Sequence, residues 1–198
     1  FSYLHGAAIV NLSVKNYHAS DDNTKYTGII CAYMDEVFTE SWWLGNSHKR
    51  PTISGCRINN CTIAGNNAAY VGGIVPYADD CDKLERNAVI NCSITTNAGV
   101  AGGIAGFLRA HTPKDIKNDI EKGKAGAQNK IYHFTLRNNR VIGTTVRANA
   151  RRAGGLIGEV SELFLRASRQ RRCPRGHIRA VRLEALVSPL VHEQAFLP

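Results

Sequence analysis

The sequence predicts an all-β protein, namely a parallel β-helix (β-solenoid) built from about four degenerate repeats. Three observations support this fold class. A Gly-Gly-aliphatic motif recurs along the first 160 residues, and short segments near it alternate apolar with polar residues. The chain is also rich in Gly and Asn, which are both poor helix formers. A unit of this size cannot bury its apolar face alone, so several units must stack to make a continuous core.

The repeat is clearest in two segments that align without a gap at an offset of 52 residues. Residues 87–106 and 139–158 share nine identities in twenty positions, and weaker copies cover 60–76 and 23–33. In every copy an asparagine stands five residues before the first glycine of the motif. The residues assigned to the repeat are Asn23 and Gly28; Asn67, Gly72 and Gly73; Asn97, Gly102 and Gly103; and Asn149, Gly154 and Gly155.

Each copy is predicted to contain two strands joined by an asparagine turn. Ile90, Cys92 and Ile94 alternate with polar residues, as expected for a strand with one buried face. The second strand is the Ala-Gly-Gly-Ile step. Asparagine suits the turn because it tolerates the left-handed conformation. Paired glycines permit either a positive φ or the close approach of a neighbouring backbone.

Two insertions interrupt the repeat, because successive copies are 44, 30 and 52 residues apart. Residues 34–52 contain Trp42 and Trp43, and residues 109–130 contain Lys114 and Lys117, with a short helix expected between Pro113 and Gly123. Insertions of this kind emerge on one face, often the binding face. These two Trp and two Lys residues are the predicted binding residues. Packing of the Trp pair under its own loop is the alternative.

The cysteines and glycines of the repeat have structural as well as functional interpretations. Cys61 and Cys92 occupy one repeat position, where another copy has Thr144. They are either a disulfide or ligand pair, or a column of small inward-facing residues. The glycine pairs lack the context of a nucleotide site. The cysteines and histidines lack the spacing of a zinc site. We therefore predict no cofactor and no metal.

Acidic clusters offer a further chemical possibility. Asp21 and Asp22 form one cluster, and Asp79, Asp80 and Asp82 form another. Carboxylates grouped in this way serve Ca²⁺ binding or acid–base chemistry. The competing interpretation is a solvated turn, because the second cluster directly follows a Gly-Gly strand.

The composition changes after residue 160. Residues 161–198 contain no Asn, Thr, Tyr or Lys and carry 7 Arg against 3 Glu. We therefore divide the chain into a β-solenoid repeat domain at 1–160 and an Arg/Leu/Ala-rich tail at 161–198 that is poorly packed. A frame-shifted or vector-derived end fits this shift, and a nucleic-acid patch between Arg169 and Arg175 is the alternative.

The V/A-Gly-Gly-I/L-x-Gly step after an Asn-rich turn resembles the GLUG-type glycine repeats of bacterial surface and secreted proteins. More broadly, residues 9–160 resemble the right-handed parallel β-helices of adhesin-like proteins. Copy one departs with Ile29 at the second glycine, and copy two departs with Pro76 at the closing glycine. The resemblance implies an extracellular or cell-surface location. It also implies a glycan, or a surface protein of another cell, as the partner.

The leading functional prediction is therefore a non-enzymatic adhesin-like repeat module that binds glycan or protein through its loop insertions. One alternative is a carbohydrate-active β-helix enzyme, lyase- or hydrolase-like, which requires acidic side chains from adjacent coils on one face. Another is a basic nucleic-acid binder acting through the tail, since the net charge is +9. No apolar run has the roughly 18–20 residues of a membrane span. Because it opens on Phe1, the chain is interpreted as a processed or truncated piece.

Overall fold

The computed structural model describes residues 1–21, 23–35, 37–39, 47–79, 83–109, 121–123, 135–161, 166–168 and 182–184. Within these residues the structure consists mainly of short β-strands, most of which belong to five parallel sheets. This arrangement confirms the predicted all-β, parallel fold class. In the same ranges no helix has the length and apolar character needed to cross a membrane.

The chain visits five sheets, named A to E, in the same order on each pass. Pass 1 comprises β1 (Tyr3–His5), β2 (Ala8–Val10), β3 (Ser13–Lys15), β4 (His18–Ser20) and β5 (Tyr26–Gly28). Pass 2 comprises β6 (Tyr33–Asp35), a hairpin of β7 (Val37–Thr39) and β8 (Ser47–Lys49), then β9 (Thr52–Ser54), β10 (Arg57–Asn59), β11 (Thr62–Ala64) and β12 (Tyr70–Gly72). Pass 3 comprises β13 (Val75–Asp79), β14 (Lys83–Glu85), β15 (Ala88–Ile90), β16 (Ser93–Thr96) and β17 (Val100–Gly102).

Pass 4 comprises β18 (Ala105–Arg109), β19 (Thr135–Arg137), β20 (Arg140–Ile142), β21 (Thr145–Ala148) and β22 (Ala153–Gly154), and β23 (Ile157–Ser161) begins a fifth pass. Sheet A has the order β1-β6-β13-β18-β23, and the other four sheets stack their strands in the same pass order. In the tail, β24 (Arg166–Ser168) and β25 (Arg182–Glu184) pair antiparallel and extend sheet B beyond β19.

The strand register reproduces the internal repeat of the sequence. Val89 is paired with Val141 and Gly102 with Gly154, which is the offset of 52 found by alignment. Between passes 2 and 3 the offset is 31 residues in sheet C, where Arg57 pairs with Ala88, but 30 in sheet E. The chain between β11 and β12 is thus one residue longer than its counterpart in pass 3.

Inward-facing aliphatic side chains from every sheet form the core. Each three-residue strand points its central residue inward, so that one column of apolar side chains runs through each sheet. Ile58, Ile63, Val71 and Leu84 are representative, and all four are fully buried. Burial of a side chain of this kind stabilises the fold by about 1.5–3 kcal/mol, and the columns recur in every pass.

Left-handed residues form the corners between neighbouring sheets. Residues with φ between 51° and 67° occur in every pass, namely Asn11, Gly55, Arg86 and Asn138 between sheets B and C, and Asn16, Asn60, Asn91 and Gly143 between sheets C and D. Seven of these eight corner residues are Gly or Asn, for which this conformation costs least. The repeat asparagines at positions 23, 67, 97 and 149 do not have a positive φ, so the predicted left-handed turn falls on other asparagines.

The paired glycines serve the close approach of neighbouring backbones, not a positive φ. A Cβ built on Gly73 would overlap the carbonyl oxygen of Gly103, and one built on Gly103 would overlap that of Gly155. None of the three has a positive φ. The sequence predicted either a positive φ or close backbone approach for these glycines, and the structure shows close backbone approach.

Candidate functional site

Both insertions leave the stacked sheets at the same corner, between sheets A and B. The first lies between β6, which ends at Asp35, and β9, which begins at Thr52. The second lies between β18, which ends at Arg109, and β19, which begins at Thr135. The extra chain is therefore 36–51 and 110–134, close to the predicted 34–52 and 109–130. The strand ends from which both insertions leave, Asp35 and Arg109, belong to sheet A.

The outer face of sheet A carries a row of aromatic rings, here called the aromatic row: Tyr3, Tyr33, Tyr77 and Phe107. They come from four successive strands and occupy equivalent register positions. Ring centroids are 5.2 Å apart for Tyr3–Tyr33 and Tyr33–Tyr77, and 5.0 Å apart for Tyr77–Phe107. Tyr3 is 60% exposed and the other three rings are half-buried.

Two tyrosines of sheet E pack beside this row. Tyr26 and Tyr70 stack on each other with centroids 5.9 Å apart and are called the sheet E tyrosines. The ring of Tyr26 lies 5.4 Å from those of Tyr33 and Tyr77, in planes inclined by 56° and 61°. Tyr70 similarly lies 5.1 Å from both Tyr77 and Phe107. The six rings therefore form one continuous, partly exposed aromatic surface.

The glycine motif contributes to the meeting of these two sets of rings. Gly72 and Gly73 form the corner between Tyr70 in sheet E and the strand that carries Tyr77 in sheet A. A Cβ on Gly72 would overlap the carbonyl group of Val75, which shows how tightly the chain turns there. With no side chain on the corner, rings from the two sheets can touch.

A charged row runs parallel to the aromatic row, two residues further along each strand: His5, Asp35, Asp79 and Arg109. The register pairs His5 with Asp35 and Asp79 with Arg109. Asp35 and Asp79 lie on neighbouring strands, one step beyond the paired residues Met34 and Ala78. Asp79 is only 6% exposed, and its Oδ2 lies 3.6 Å from a terminal guanidinium nitrogen of Arg109.

The surroundings keep the central phenols protonated. Burial raises the pKa of Tyr33, and the carboxylates of Asp35 and Asp79 raise it further. Burial also raises the pKa of Tyr77, to which Asp79 contributes while Arg109 opposes the shift. Both hydroxyl groups are protonated at neutral pH, as in any tyrosine, and can donate hydrogen bonds. At the edge of the surface, Lys25 Nζ lies 5.2 Å from the centroid of the Tyr26 ring.

The binding residues predicted from the sequence lie outside the described residues. This applies to Trp42, Trp43, Lys114 and Lys117, and also to Asp80 and Asp82. Within the second insertion, Glu121 is helical and Gly123 has a φ of 65°, the conformation of a residue that ends a helix. The rest of the helix predicted between Pro113 and Gly123 lies outside the described residues.

Asparagine side chains of successive passes hydrogen-bond to one another on the surface. In pass 2 the bonded residue is Asn66 and not the repeat asparagine Asn67. Asn149 Nδ2 donates to Asn97 Oδ1 at 2.7 Å, and Asn97 Nδ2 donates to the side-chain oxygen of Asn66 at 3.3 Å. Because the β11–β12 segment is one residue longer, Asn66 takes the place opposite Asn97, and Asn67 does not. In pass 1, the backbone N–H of Asn23 instead donates to Asp21 Oδ1.

The cysteines at the repeat position are free, buried thiols. Cys61 and Cys92 are 1% and 5% exposed, and neither forms a disulfide. The backbone N–H of Cys61 donates to Cys92 Sγ at 3.4 Å, and that of Cys92 donates to Thr144 Oγ1 at 3.1 Å. This agrees with a column of small inward-facing residues. In the described part of the chain, no group of three or more His, Cys, Asp or Glu side chains could hold a metal ion.

No protein-family model, curated protein or solved structure matches this chain. The candidate site is therefore identified by its geometry alone.

The aromatic surface was not predicted from the sequence, although its signal is present there. Tyr26 and Tyr70 recur at one repeat position and Tyr33 and Tyr77 at another. Those matches identify repeat copies, but they do not show that the two positions lie side by side. That proximity depends on the corner between sheets E and A, which only the folded chain displays.

Proposed function

We propose that the chain is a β-solenoid of the GLUG-type, adhesin-like kind and acts as a non-enzymatic binding module. Its partner is a glycan or a surface protein of another cell, and its location is extracellular or at the cell surface. The insertions, with Trp42, Trp43, Lys114 and Lys117, supply contacts together with the outer face of sheet A.

One observation carries this proposal: both insertions emerge at a single corner, beside the aromatic and charged rows. Repeat proteins commonly bind partners on the face from which their insertions project. Partly exposed tyrosines flanked by charged groups have the composition of a binding surface, because tyrosine combines apolar area with a polar tip. Scattered insertions would have left no common face.

The proposal is tested on the full chain with a glycan array and with pull-downs from cell-surface extracts. A Trp42→Ala/Trp43→Ala variant and a Lys114→Ala/Lys117→Ala variant remove the insertion contacts. Lys15→Ala/Arg57→Ala, on the outer face of sheet C, is the matched control. We expect weaker binding of at least one insertion variant and unchanged binding of the control. Equal binding by all three variants would remove the insertions from the site.

A carbohydrate-active enzyme is the second candidate, and the placement of Asp35 and Asp79 favours it. Neighbouring strands are about 4.8 Å apart. Asp35 and Asp79 therefore follow paired residues on adjacent strands, and a pair of catalytic carboxylates on neighbouring coils requires such a placement. Arg109 forms an ion pair with Asp79, and this ion pair favours the charged form of the carboxylate. A carboxylate that acts as nucleophile or base must be charged. The test is release of reducing ends from soluble polysaccharides. Activity that persists in an Asp35→Asn variant would contradict this role.

A further inference from the structure

We infer that the ligand of the sheet A face is a neutral, chain-like glycan, lying along the aromatic row with successive sugar units on successive rings. This inference rests on the proposed binding function and names its ligand class. In this inference the principal contacts with the ligand come from the six aromatic rings and not from the insertions.

The rings of the aromatic row are evenly spaced. Three successive steps of the aromatic row measure 5.2, 5.2 and 5.0 Å between centroids. A regular array of like side chains, repeated at the strand spacing, fits a partner that is itself a polymer of like units. A peptide cannot add a strand here, because the row lies on the face of the sheet and not at its edge.

Neighbouring rings of the aromatic row overlap only in part. The planes of Tyr33 and Tyr77 are inclined by only 8°, with centroids 5.2 Å apart. Carbon atoms in contact are about 3.5–4.0 Å apart, so these rings are offset and each covers only part of the next. Neither ring of this pair is therefore fully covered by the other, and both residues are only half-buried. The C–H face of a sugar ring is the apolar surface that packs on such a face.

Positive and negative side chains are balanced on the sheet A face. Besides His5, the residues on and beside the face include three carboxylates and three cations: Asp35, Asp79 and Glu159, and Lys25, Arg109 and Arg152. Two of the cations are paired with two of the carboxylates, Arg109 with Asp79 and Arg152 with Glu159. The face therefore has no dominant charge to attract an anionic polymer. Carboxylates, a guanidinium and phenolic hydroxyls together donate to and accept from neutral sugar hydroxyls.

The test is affinity electrophoresis of the full chain through native gels containing hydroxyethylcellulose, glucomannan or arabinoxylan, with polygalacturonate as the anionic comparison. Affinities for gluco- and xylo-oligosaccharides of increasing length are then measured by calorimetry. Tyr33→Ala/Tyr77→Ala removes two central rings, and Tyr33→Phe/Tyr77→Phe removes only their hydroxyls. Tyr17→Ala is the control, because Tyr17 is 53% exposed and lies outside the aromatic surface. Circular dichroism verifies folding.

We expect retardation by at least one neutral polysaccharide, unchanged in 0.5 M NaCl because no ion pairs drive it. The Ala pair should weaken binding by about tenfold or more, and the Phe pair by about threefold or more. The Tyr17 variant should bind as the wild type does. If the Ala pair fails to fold, the Phe pair alone decides the outcome.

Unchanged affinity of the Phe pair, or of a folded Ala pair, overturns the inference. Binding of polygalacturonate alone, lost in salt, also overturns it. If the wild type binds a protein but no glycan, and the insertion variants lose that binding, this inference fails while the proposed binding function stands. Absence of binding to every glycan and every extract overturns both.

Discussion

At the scale of single residues, the buried asparagines between sheets B and C satisfy the backbone at a corner. Asn87 is completely buried, and its Oδ1 accepts from the Cys56 N–H at 2.9 Å. Its Nδ2 donates to the Ile53 carbonyl at 3.0 Å. Asn139 repeats the arrangement one pass later by accepting from the Asn87 N–H at 3.0 Å. These side chains pair backbone groups that would otherwise be buried without a partner.

We therefore predict that Asn87→Ala destabilises the fold by about 2–6 kcal/mol, since a buried donor and a buried acceptor lose their partners at about 1–3 kcal/mol each. Asn149→Ala removes an exposed amide and should cost less than about 1 kcal/mol. Urea unfolding followed by circular dichroism measures both. Equal losses in the two variants would show that burial of the amide does not govern the cost.

At the scale of elements, the glycine motif fixes the distance between successive passes. Gly73, Gly103 and Gly155 occupy one repeat position but have different surroundings. A Cβ on Gly103 would overlap the Gly155 carbonyl and would lie 2.7 Å from Val141 Cγ2. At Gly155 no described atom lies within 4 Å of the same position. The motif is therefore required where a further pass stacks upon it.

This difference gives a prediction with an internal control. Gly103→Ala should destabilise the protein by about 1–3 kcal/mol or more, because neither the backbone nor the branched Val141 side chain can easily move away. Gly155→Ala should be neutral or slightly stabilising, because alanine reduces the freedom of the unfolded chain. Thermal unfolding of the two variants compares them directly. A stable Gly103→Ala variant would mean that adjacent passes are packed less closely than the structure shows.

At the scale of the whole molecule, each described strand of sheets C, D and E pairs only with strands of the neighbouring passes. Strands β10, β11, β15 and β16 pair on both sides, whereas β3 and β4 of pass 1 pair on one side among the described residues. In a nearest-neighbour arrangement of this kind, stability depends on the number of interfaces that a unit shares.

We predict that the backbone amides of passes 2 and 3 exchange with solvent more slowly than those of pass 1. Opening a central pass breaks two interfaces, and opening the first pass breaks one. Hydrogen exchange followed by mass spectrometry, with peptides compared within sheets C and D, provides the measurement. Uniform protection along the chain would instead indicate that all passes open together.

Much of the fold could be predicted from the sequence because stacked passes repeat their chemistry. The offset that aligned residues 87–106 with 139–158 is the register by which Val89 meets Val141. Alternation identified Ile90, Cys92 and Ile94 as one strand region, but a corner at Asn91 divides it, and Ile90 is only half-buried. Short alternating segments look the same whether the chain continues straight or turns, so the number of sheets could not be obtained from them.

The sequence by itself determined the all-β class, the copies and the positions of the insertions, since these depend on local composition and spacing. The tertiary structure decided which residues meet. Asn66 replaces Asn67 opposite Asn97 because one extra residue lies between β11 and β12. Tyr70 and Tyr77, seven residues apart, touch because a glycine corner folds sheet E against sheet A. A surface assembled from several passes is created by register and corner geometry, and a single repeat contains neither.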